Sequence, residues 1–422
     1  PAAPAPKAVP PAAAAARARA SIIVLPFAIL SRDPEQEFFC DGLTQDVTTD
    51  LSKFAELFVF AANSAFTFKG RAVRPNELAR DLGVRYLLEG SVQRAGNKIR
   101  LNAQLIEAES ERHLWAERID RSVDDLLEAQ DELVRRIVAT LAVRVTASEM
   151  ERVTRRETHD VNAYFAFLRG AHLYLSQIEQ SHESEAGMLA ARDWFRRAAE
   201  IDPAYARAWG WLGYCEMNRV VEGWAEPALA AEAEAHAKRA VALAPDDYDT
   251  HWALAFVYSA TGRPALGLAE YEAARRLNPN DANMLVEMAE TLTQLGRHEQ
   301  AVEQIRGAIQ LNPYAPDWYR WMLGWALHHA RDYAASCAEL ERILAPNNEV
   351  RLILAANHAR LAEVAADEPA RARHRAEAAR WRSDFAARRP DWTVETEGRT
   401  IHFELPADRE HWLEGLRLAG VG

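Results

Sequence analysis

The chain has 422 residues, of which 49% are hydrophobic and 27% charged, a composition typical of globular proteins and sufficient for two or three domains with separate cores. Asp and Glu number 62 against 50 Lys and Arg, so the formal net charge of -12 disfavours broad attraction to nucleic acid or anionic lipid. The three cysteines are too scattered for a disulfide framework or a zinc site, and the longest apolar run, SIIVLPFAIL, is far shorter than the roughly 20 residues that span a bilayer.

Residues 1–20 read PAAPAPKAVPPAAAAARARA, a Pro/Ala tract that cannot bury a core. The tract lacks the sustained apolar region of a signal peptide, so it predicts a semi-rigid linker. Because the sequence opens on a linker, we expect it to be the downstream part of a longer protein.

Residues 21–148 alternate strand and helix patterns. SIIVLPFA is a predicted buried strand, and SRDPEQE, with Pro34, begins a helix that runs to about Phe54. LFVFAA predicts a second strand, NELARDLG a short helix closed by Gly83, and RYLLEGSVQRAGNKIRLNAQLIEA two strands joined by a turn at Gly96. RHLWAERIDRS predicts another strand, and a helix follows to about Thr146. The order β-α-β-α-β-β-β-α combines a parallel pair with an antiparallel meander and predicts an α+β domain.

Three segments of this domain carry a family resemblance. IIVLPFAILSRDPEQEFFCDGLTQDVTTDLSKF, LGVRYLLEGSVQRAGNKIRLNAQLIEA and HLWAERIDR resemble the domain related to the amino-terminal domain of TolB and to FlgO-type proteins. The resemblance implies a place in bacterial multi-domain proteins, downstream of a class III adenylate cyclase or a winged-helix domain and upstream of tetratricopeptide repeats. It implies no catalytic role for this domain.

The segment CDGLTQDVTTDLSK places Cys40 and three aspartates within eleven positions. On a helix, an apolar stripe at steps of three and four must face the sheet; it consists of Phe39, Leu43, Val47, Leu51 and Phe54. Asp41 then points nearly opposite to Asp50, so the three carboxylates cannot converge on one ion. Cys40 is interpreted as a small buried hydrophobe. Asp46 and Asp50 share a face, and we expect an arginine or lysine of the same domain, or hydroxyl and backbone donors, to hold them.

Residues 160–390 show a period. Pro203, Pro245, Pro279, Pro313 and Pro346 are separated by 42, 34, 34 and 33 residues, and small and aromatic residues recur in register before them. A period of 34 residues resembles the tetratricopeptide repeat, and it predicts an all-α superhelix of at least four units with one or two degraded units at the end. Two insertions, RVVEGWAEP and SQIEQSHESEAG, are either partner-contacting or idle surface loops. Residues 391–422 are expected to cap the last repeat.

Counting from the prolines, five residues fall at two comparable sites of the first helices, one turn apart: Tyr214, Trp252, Phe256, Glu290 and Arg320. The family resemblance implies that such positions line a concave groove that binds an extended peptide or a partner helix. Core packing is the alternative for each residue. Trp209 matches a signature packing position of the repeat.

Motifs for catalysis, cofactors and metals are missing. The sequence has no G-x-x-x-x-G-K-[ST], no G-x-G-x-x-G after a strand and no G-x-S-x-G. His328 and His329 point about 100° apart on a helix, so a solvated or packed pair is favoured over a metal site. We therefore expect no catalytic, cofactor or metal residues within this chain.

Three functions remain open. The first is a non-catalytic interaction and sensing module that binds a protein or peptide and regulates an upstream effector. The second is the regulatory carboxy-terminal part of a class III adenylate cyclase, and the third is the sensor part of a winged-helix transcription regulator. No nucleic-acid binding through this chain and no membrane insertion are expected. The expected location is cytoplasmic, with the periplasm as the alternative if a membrane segment precedes the linker.

Overall fold

The structure is a computed structural model that describes residues 20–30, 37–141, 150, 153, 158–179, 184–395, 397 and 402–421. The predicted linker apart from Ala20, the predicted helix start at Pro34 and the predicted helix end near Thr146 lie outside the described residues. The chain divides into two compact units. The first comprises Pro1–Val257, Glu270–Met284 and Ala308–Ala315, and the second comprises Tyr258–Ala269, Leu285–Gly307 and Pro316–Gly422.

The amino-terminal domain is built on a mixed sheet. Its strands are β1 (Ala20–Val24), β2 (Ala28–Ile29), β3 (Leu57–Val59), β4 (Tyr86–Ala95), β5 (Lys98–Glu107) and β6 (Arg112–Ser122). The sheet order is β3-β1-β4-β5-β6, and β2 pairs with β4. β1 is parallel to both β3 and β4, whereas β4, β5 and β6 form an antiparallel meander. The predicted α+β class and the hairpin at Gly96 are confirmed, since Ala95 pairs with Lys98 across the turn.

Four helices accompany the sheet: α1 (Glu37–Ser52), α2 (Ala62–Phe66), α3 (Pro75–Leu82) and α4 (Leu126–Thr140). The apolar stripe predicted for α1 is buried, with Leu43, Val47 and Leu51 at most 1% exposed. Gly83 ends α3 in the left-handed conformation, and its N–H donates to the Ala79 carbonyl, as the sequence predicts. The stripe fixes the polar side of α1 away from the sheet, which is the side that carries Asp46.

Helical hairpins follow the α/β domain. Their helices are α5 (Val161–Glu179), α6 (Glu185–Ile201), α7 (Ala206–Val221), α8 (Leu229–Leu243), α9 (Tyr248–Ala260), α10 (Pro264–Leu277), α11 (Ala282–Gln294), α12 (His298–Leu311), α13 (Asp317–His329), α14 (Tyr333–Leu340), α15 (Asn348–Val364), α16 (Glu368–Arg388) and α17 (Pro406–Leu418). The predicted repeats of tetratricopeptide type are thereby confirmed. Alanines at the predicted positions, such as Ala191 and Ala198, are fully buried and let neighbouring helices approach closely.

The second unit closes on its carboxy-terminal helix. Trp412, Leu413 and Leu416 of α17 are buried in one core with Ile353 and Leu354 of α15. None of the described helices is both long and apolar enough to cross a membrane.

Histidines cluster beside α17 in the same unit. His328 and His329 are buried, and the Nδ1 of His328 donates to the Asn357 Oδ1 at 2.6 Å. His411 lies 2.8 Å from the Tyr333 hydroxyl, and the Nε2 of His298 lies 3.1 Å from Asp408 Oδ2. Of the solvated and the packed arrangement expected for this pair, the burial fits the packed one.

Burial sets the charge state of these rings. Burial lowers the pKa of His328 to about 3. Burial and the nearby charges of Arg331 and Arg360 lower the pKa of His411 to about 4. Both histidines are therefore neutral in the folded protein at neutral pH. Unfolding returns each to an ordinary pKa of about 6.5, so the unfolded chain binds more protons below that pH.

We predict that the second unit loses stability as pH falls from about 6.5 towards 3. At pH 5 each such histidine costs up to about 2 kcal/mol relative to neutral pH. Urea unfolding at pH 7 and pH 5 measures the loss, and His411→Gln should make it smaller by about 1 kcal/mol. His113→Gln, at an exposed position, is the control. Equal losses in wild type and His411→Gln would show that this ring does not titrate on unfolding.

Candidate functional site

A buried polar network joins α1 to the first helices of the repeats within the first unit. Asp46 of α1 is 5% exposed, and its Oδ2 accepts a hydrogen bond from the Tyr164 hydroxyl of α5 at 2.5 Å. The Nη1 of Arg207 on α7 lies 3.7 Å from Asp46 Oδ1. The Nε of Arg207 also lies 2.7 Å from Oδ2 of Asp249 on α9. One carboxylate of the α/β domain is thus held by two successive hairpins.

The three repeat residues all lie in the first turn of their helices. Tyr164 is the fourth residue of α5, and Arg207 and Asp249 are the second residues of α7 and α9. They are separated by 43 and 42 residues, close to one repeat period with the inserted loops included. Successive first helices lie side by side, so equivalent positions form a row. This row contacts the polar side of α1.

The network holds two carboxylates and one guanidinium. Asp46 and Asp249 both compete for Arg207, and neither reaches bulk water. Burial raises the pKa of Asp249 to about 7 and also raises the pKa of Asp46, although Arg207 opposes both shifts. Burial and the neighbouring Asp46 raise the pKa of Tyr164, so this phenol stays a hydrogen-bond donor. The raised pKa of Asp249 brings protonation of this network close to neutral pH.

The turns between hairpins supply a second set of contacts. The Nδ2 of Asn280 donates to the Ser52 carbonyl at 2.9 Å, next to the end of α1. The Ser64 hydroxyl of α2 donates to Asn312 Oδ1 at 2.6 Å, and the Ala61 N–H donates to the Leu311 carbonyl at 2.9 Å. Both asparagines flank the repeat prolines, where the period predicts only a hairpin boundary.

The predictions for α1 are confirmed in part by these contacts. Asp50 pairs with Lys53 at 2.9 Å, and Asp41 pairs with Lys69 at 2.8 Å, so the three carboxylates have separate partners and do not converge. Asp46 has the expected basic and hydroxyl partners, but they come from the repeats rather than from its own domain. Burial raises the pKa of the Cys40 thiol to about 12, which fits a small core residue.

Three of the predicted partner-binding residues lie in an aromatic cluster of the first unit. Tyr214 and Trp252 are 4% and 5% exposed, and Phe256 is partly buried. Phe256 stacks on Tyr214 with centroids 4.3 Å apart, and Trp252 meets the edge of Trp211 at 5.3 Å. The rings pack between successive first helices. Within the cluster, the side chains of Phe256 and Trp211 are partly exposed to solvent.

The other two predicted residues lie in the second unit. Glu290 of α11 is partly exposed, and its carboxylate has no hydrogen-bond or ionic partner among the residues described. The surrounding protein raises the pKa of Glu290 to about 7 by desolvation alone. Arg320 of α13 is paired with Glu339 at 2.6 Å. Of the five residues, Glu290 is the acidic one whose carboxyl lacks a partner among the residues described, and its raised pKa leaves it partly protonated at neutral pH.

The α/β domain also contains a cavity that the sequence did not predict. Its volume is about 960 Å³, within the range of small-molecule sites. Phe27 and Phe68 supply apolar walls, and Asp41, Lys69 and Glu89 supply charges. Gly90 is the residue in the sequence that relates to this cavity. A side chain at this position would clash with Phe27 and the Asn102 carbonyl.

Comparison with known proteins finds two local family matches. Residues 18–138 match the second domain of HilA/YgeH-like transcriptional regulators, and residues 282–314 match a tetratricopeptide repeat. The TolB and FlgO resemblance is not confirmed by these matches. A protein of Rhizobium meliloti (strain 1021) named putative adenylate cyclase 3 is 41% identical over 244 residues, which cover 57% of this chain. The match spans 40% of the length of that curated relative.

Solved structures resemble the chain over about half its length. Pseudomonas aeruginosa pilF aligns with a TM-score of 0.38 and 18% identity, covering 55% of this chain and 95% of its own. A thermophilic TPR protein of Thermus thermophilus aligns with a TM-score of 0.33 and 20% identity, covering 51% of this chain and 98% of its own. Scores of this size carry nothing about function.

We predict that Arg207→Met lowers the free energy of unfolding by about 3–5 kcal/mol, because it leaves buried carboxylates without their cation. Double-mutant cycles with Asp249→Asn and Asp46→Asn should both show coupling, and the Asp249 coupling should be larger because its oxygen is nearer. Urea unfolding is the measurement. Arg80→Met removes an exposed ion pair with Asp81 and should change stability by less than about 1 kcal/mol. Additive cycles would show that the three groups do not act as a network.

Proposed function

We propose that this chain is a non-catalytic interaction and sensing module of bacterial signalling, whose repeats bind a protein or peptide and regulate an effector domain outside the chain. The supporting observation is the buried network of Asp46, Tyr164, Arg207 and Asp249. In this network the first helices of the repeats contact α1, the helix whose apolar stripe packs in the core of the α/β domain. Arrays of this type bind ligands on their first helices. A ligand that shifts these helices would act on that domain.

The proposed ligand is a protein segment or peptide. Aromatic rings with partly exposed edges, as at Phe256 and Trp211, favour extended apolar segments. Tyr214, Trp252 and Arg320 then serve mainly by holding the binding helices in place, since they are buried or paired. Glu290, whose pKa is raised to about 7, would become fully ionised when a basic residue of the ligand pairs with it.

Two observations favour different effectors. The relative named putative adenylate cyclase 3 supports a role as the regulatory part of a class III cyclase, hence in cyclic-AMP signalling. The match to HilA/YgeH-like transcriptional regulators supports a role as the sensor part of a winged-helix regulator. Under either proposal this chain is the regulatory part of the protein, and the proposed kinship of residues 21–148 to TolB and FlgO-type domains is compatible with both. We also propose a cytoplasmic location, with the periplasm as the alternative.

We predict that peptides selected from a random displayed library on the full chain are enriched in Lys and Arg, because Glu290 lacks a positive partner among the described residues. Glu290→Gln should weaken their binding by about tenfold, the equivalent of 1.4 kcal/mol. Glu299→Gln, an exposed neighbour in the same unit, should leave binding unchanged and serves as the control.

Fluorescence anisotropy with labelled peptides gives the dissociation constants. Peptides without basic residues, or equal binding to wild type and Glu290→Gln, would contradict the assignment of Glu290. Cyclic-nucleotide formation from ATP and Mg²⁺ by the pure chain would contradict the non-catalytic proposal itself.

A further inference from the structure

Three potential metal ligands meet on the hairpin of α7 and α8. They are Glu216 of α7 and Glu232 and His236 of α8, with one ligand atom of each lying within 4.8 Å of the others. Glu216 is fully buried, and its Oε2 lies 2.7 Å from His236 Nδ1. His236 is partly buried and Glu232 is exposed, so the cluster opens to solvent on one side.

Local geometry brings the three side chains together. Glu232 and His236 are four residues apart on α8 and therefore share a face. Glu216 reaches that face because α7 and α8 approach closely at Gly213, where a Cβ would lie 2.6 Å from the Ala233 carbonyl. The hairpin thus fixes the helix backbones that present the ligands, independently of any ion.

We propose that Glu216, Glu232 and His236 form a binding site for a divalent transition-metal ion, with Zn²⁺ the best fit. One imidazole nitrogen and two carboxylates are ligand types that Zn²⁺ accepts, and three protein ligands leave a further position for water or a partner's side chain. The ion would take the lone pair of His236 Nδ1. A neutral ring then carries its hydrogen on Nε2, and a protonated ring releases one proton to solvent.

Nearby groups adjust the site. The guanidinium of Arg196 lies 3.3 Å from Glu216 Oε1, the carboxylate oxygen that is not paired with His236, and it offsets part of the negative charge. Trp209 packs on the His236 ring with centroids 5.2 Å apart, which limits how far the ring can turn. Arg196 should therefore weaken the binding of a cation without blocking it.

The competing explanation is an ordinary hydrogen bond between two helices. A second hairpin offers the matched comparison, since His251 Nδ1 lies 2.5 Å from Glu270 Oε2 across α9 and α10. That pair has no third ligand among the described residues, and its Nε2 contacts the Pro245 carbonyl at 2.8 Å. A metal site requires the third carboxylate, whereas a hydrogen bond does not.

The test is titration of the full chain with Co²⁺, whose visible absorption reports coordination by nitrogen and oxygen, followed by displacement with Zn²⁺. Wild type should bind one ion, and calorimetry with Zn²⁺ should show the same stoichiometry. Glu232→Gln, at an exposed position that does not threaten folding, and His236→Gln should each weaken binding by at least about tenfold. Arg196→Gln should strengthen it, and His251→Gln should leave it unchanged.

Circular dichroism confirms that each variant keeps its helix content. Absence of Co²⁺ and Zn²⁺ binding by wild type would overturn the site. Binding that survives both Glu232→Gln and His236→Gln would also overturn it, because the ion would then lie elsewhere in the chain.

Discussion

The guanidinium of Arg207 lies between two buried carboxylates that belong to different parts of the fold. Asp46 comes from the helix that anchors the α/β core, and Asp249 comes from the next helical hairpin. A buried charge without a partner is far more costly than a buried pair, so none of the three groups can leave the network alone. The α/β domain and the first hairpins therefore form one compact unit rather than two linked domains.

This constraint explains how a repeat array could signal. Arrays of helical hairpins transmit displacement between neighbours because each hairpin contacts the next. Tyr164, Arg207 and Asp249 lie in the first turns of the first helices of three hairpins, and Tyr164 and Arg207 contact one carboxylate. A ligand that changes the spacing of these helices must change the environment of Asp46. The aromatic cluster around Trp252 and Phe256 lies on the same helices. In the proposed function, this cluster is the surface that a ligand would contact.

Much of the fold follows from short-range patterns in the sequence. The stripe from Phe39 to Phe54, the hairpin at Gly96 and the proline period each arise from residues close together in the chain, so the elements could be predicted from it. The network could not, because Tyr164 and Asp46 are 118 residues apart and nothing local pairs them. Repulsion between Asp46 and Asp50 did predict that partners exist. Only the structure identifies those partners.

The candidate binding residues show the same limit. Repeat position predicted comparable sites for Tyr214, Trp252 and Glu290, yet position alone does not decide whether a side chain is covered by its neighbours. The structure covers Tyr214 and Trp252 with other rings and leaves Glu290 without a partner among the residues it describes. In the proposed function, Glu290 is therefore the candidate contact for a basic residue of the ligand, and the partly exposed rings are the candidate apolar contacts.

Native-state hydrogen exchange tests the coupling of the α/β domain to the repeats most directly. If the network makes them one unit, the slowest amides of α1 and α7 exchange with the same opening free energy, and Arg207→Met lowers both by the same amount. If α1 exchanges by its own, easier opening, and Arg207→Met leaves the protection of α1 or of α7 unchanged, the two parts are independent and the coupling proposed here is wrong.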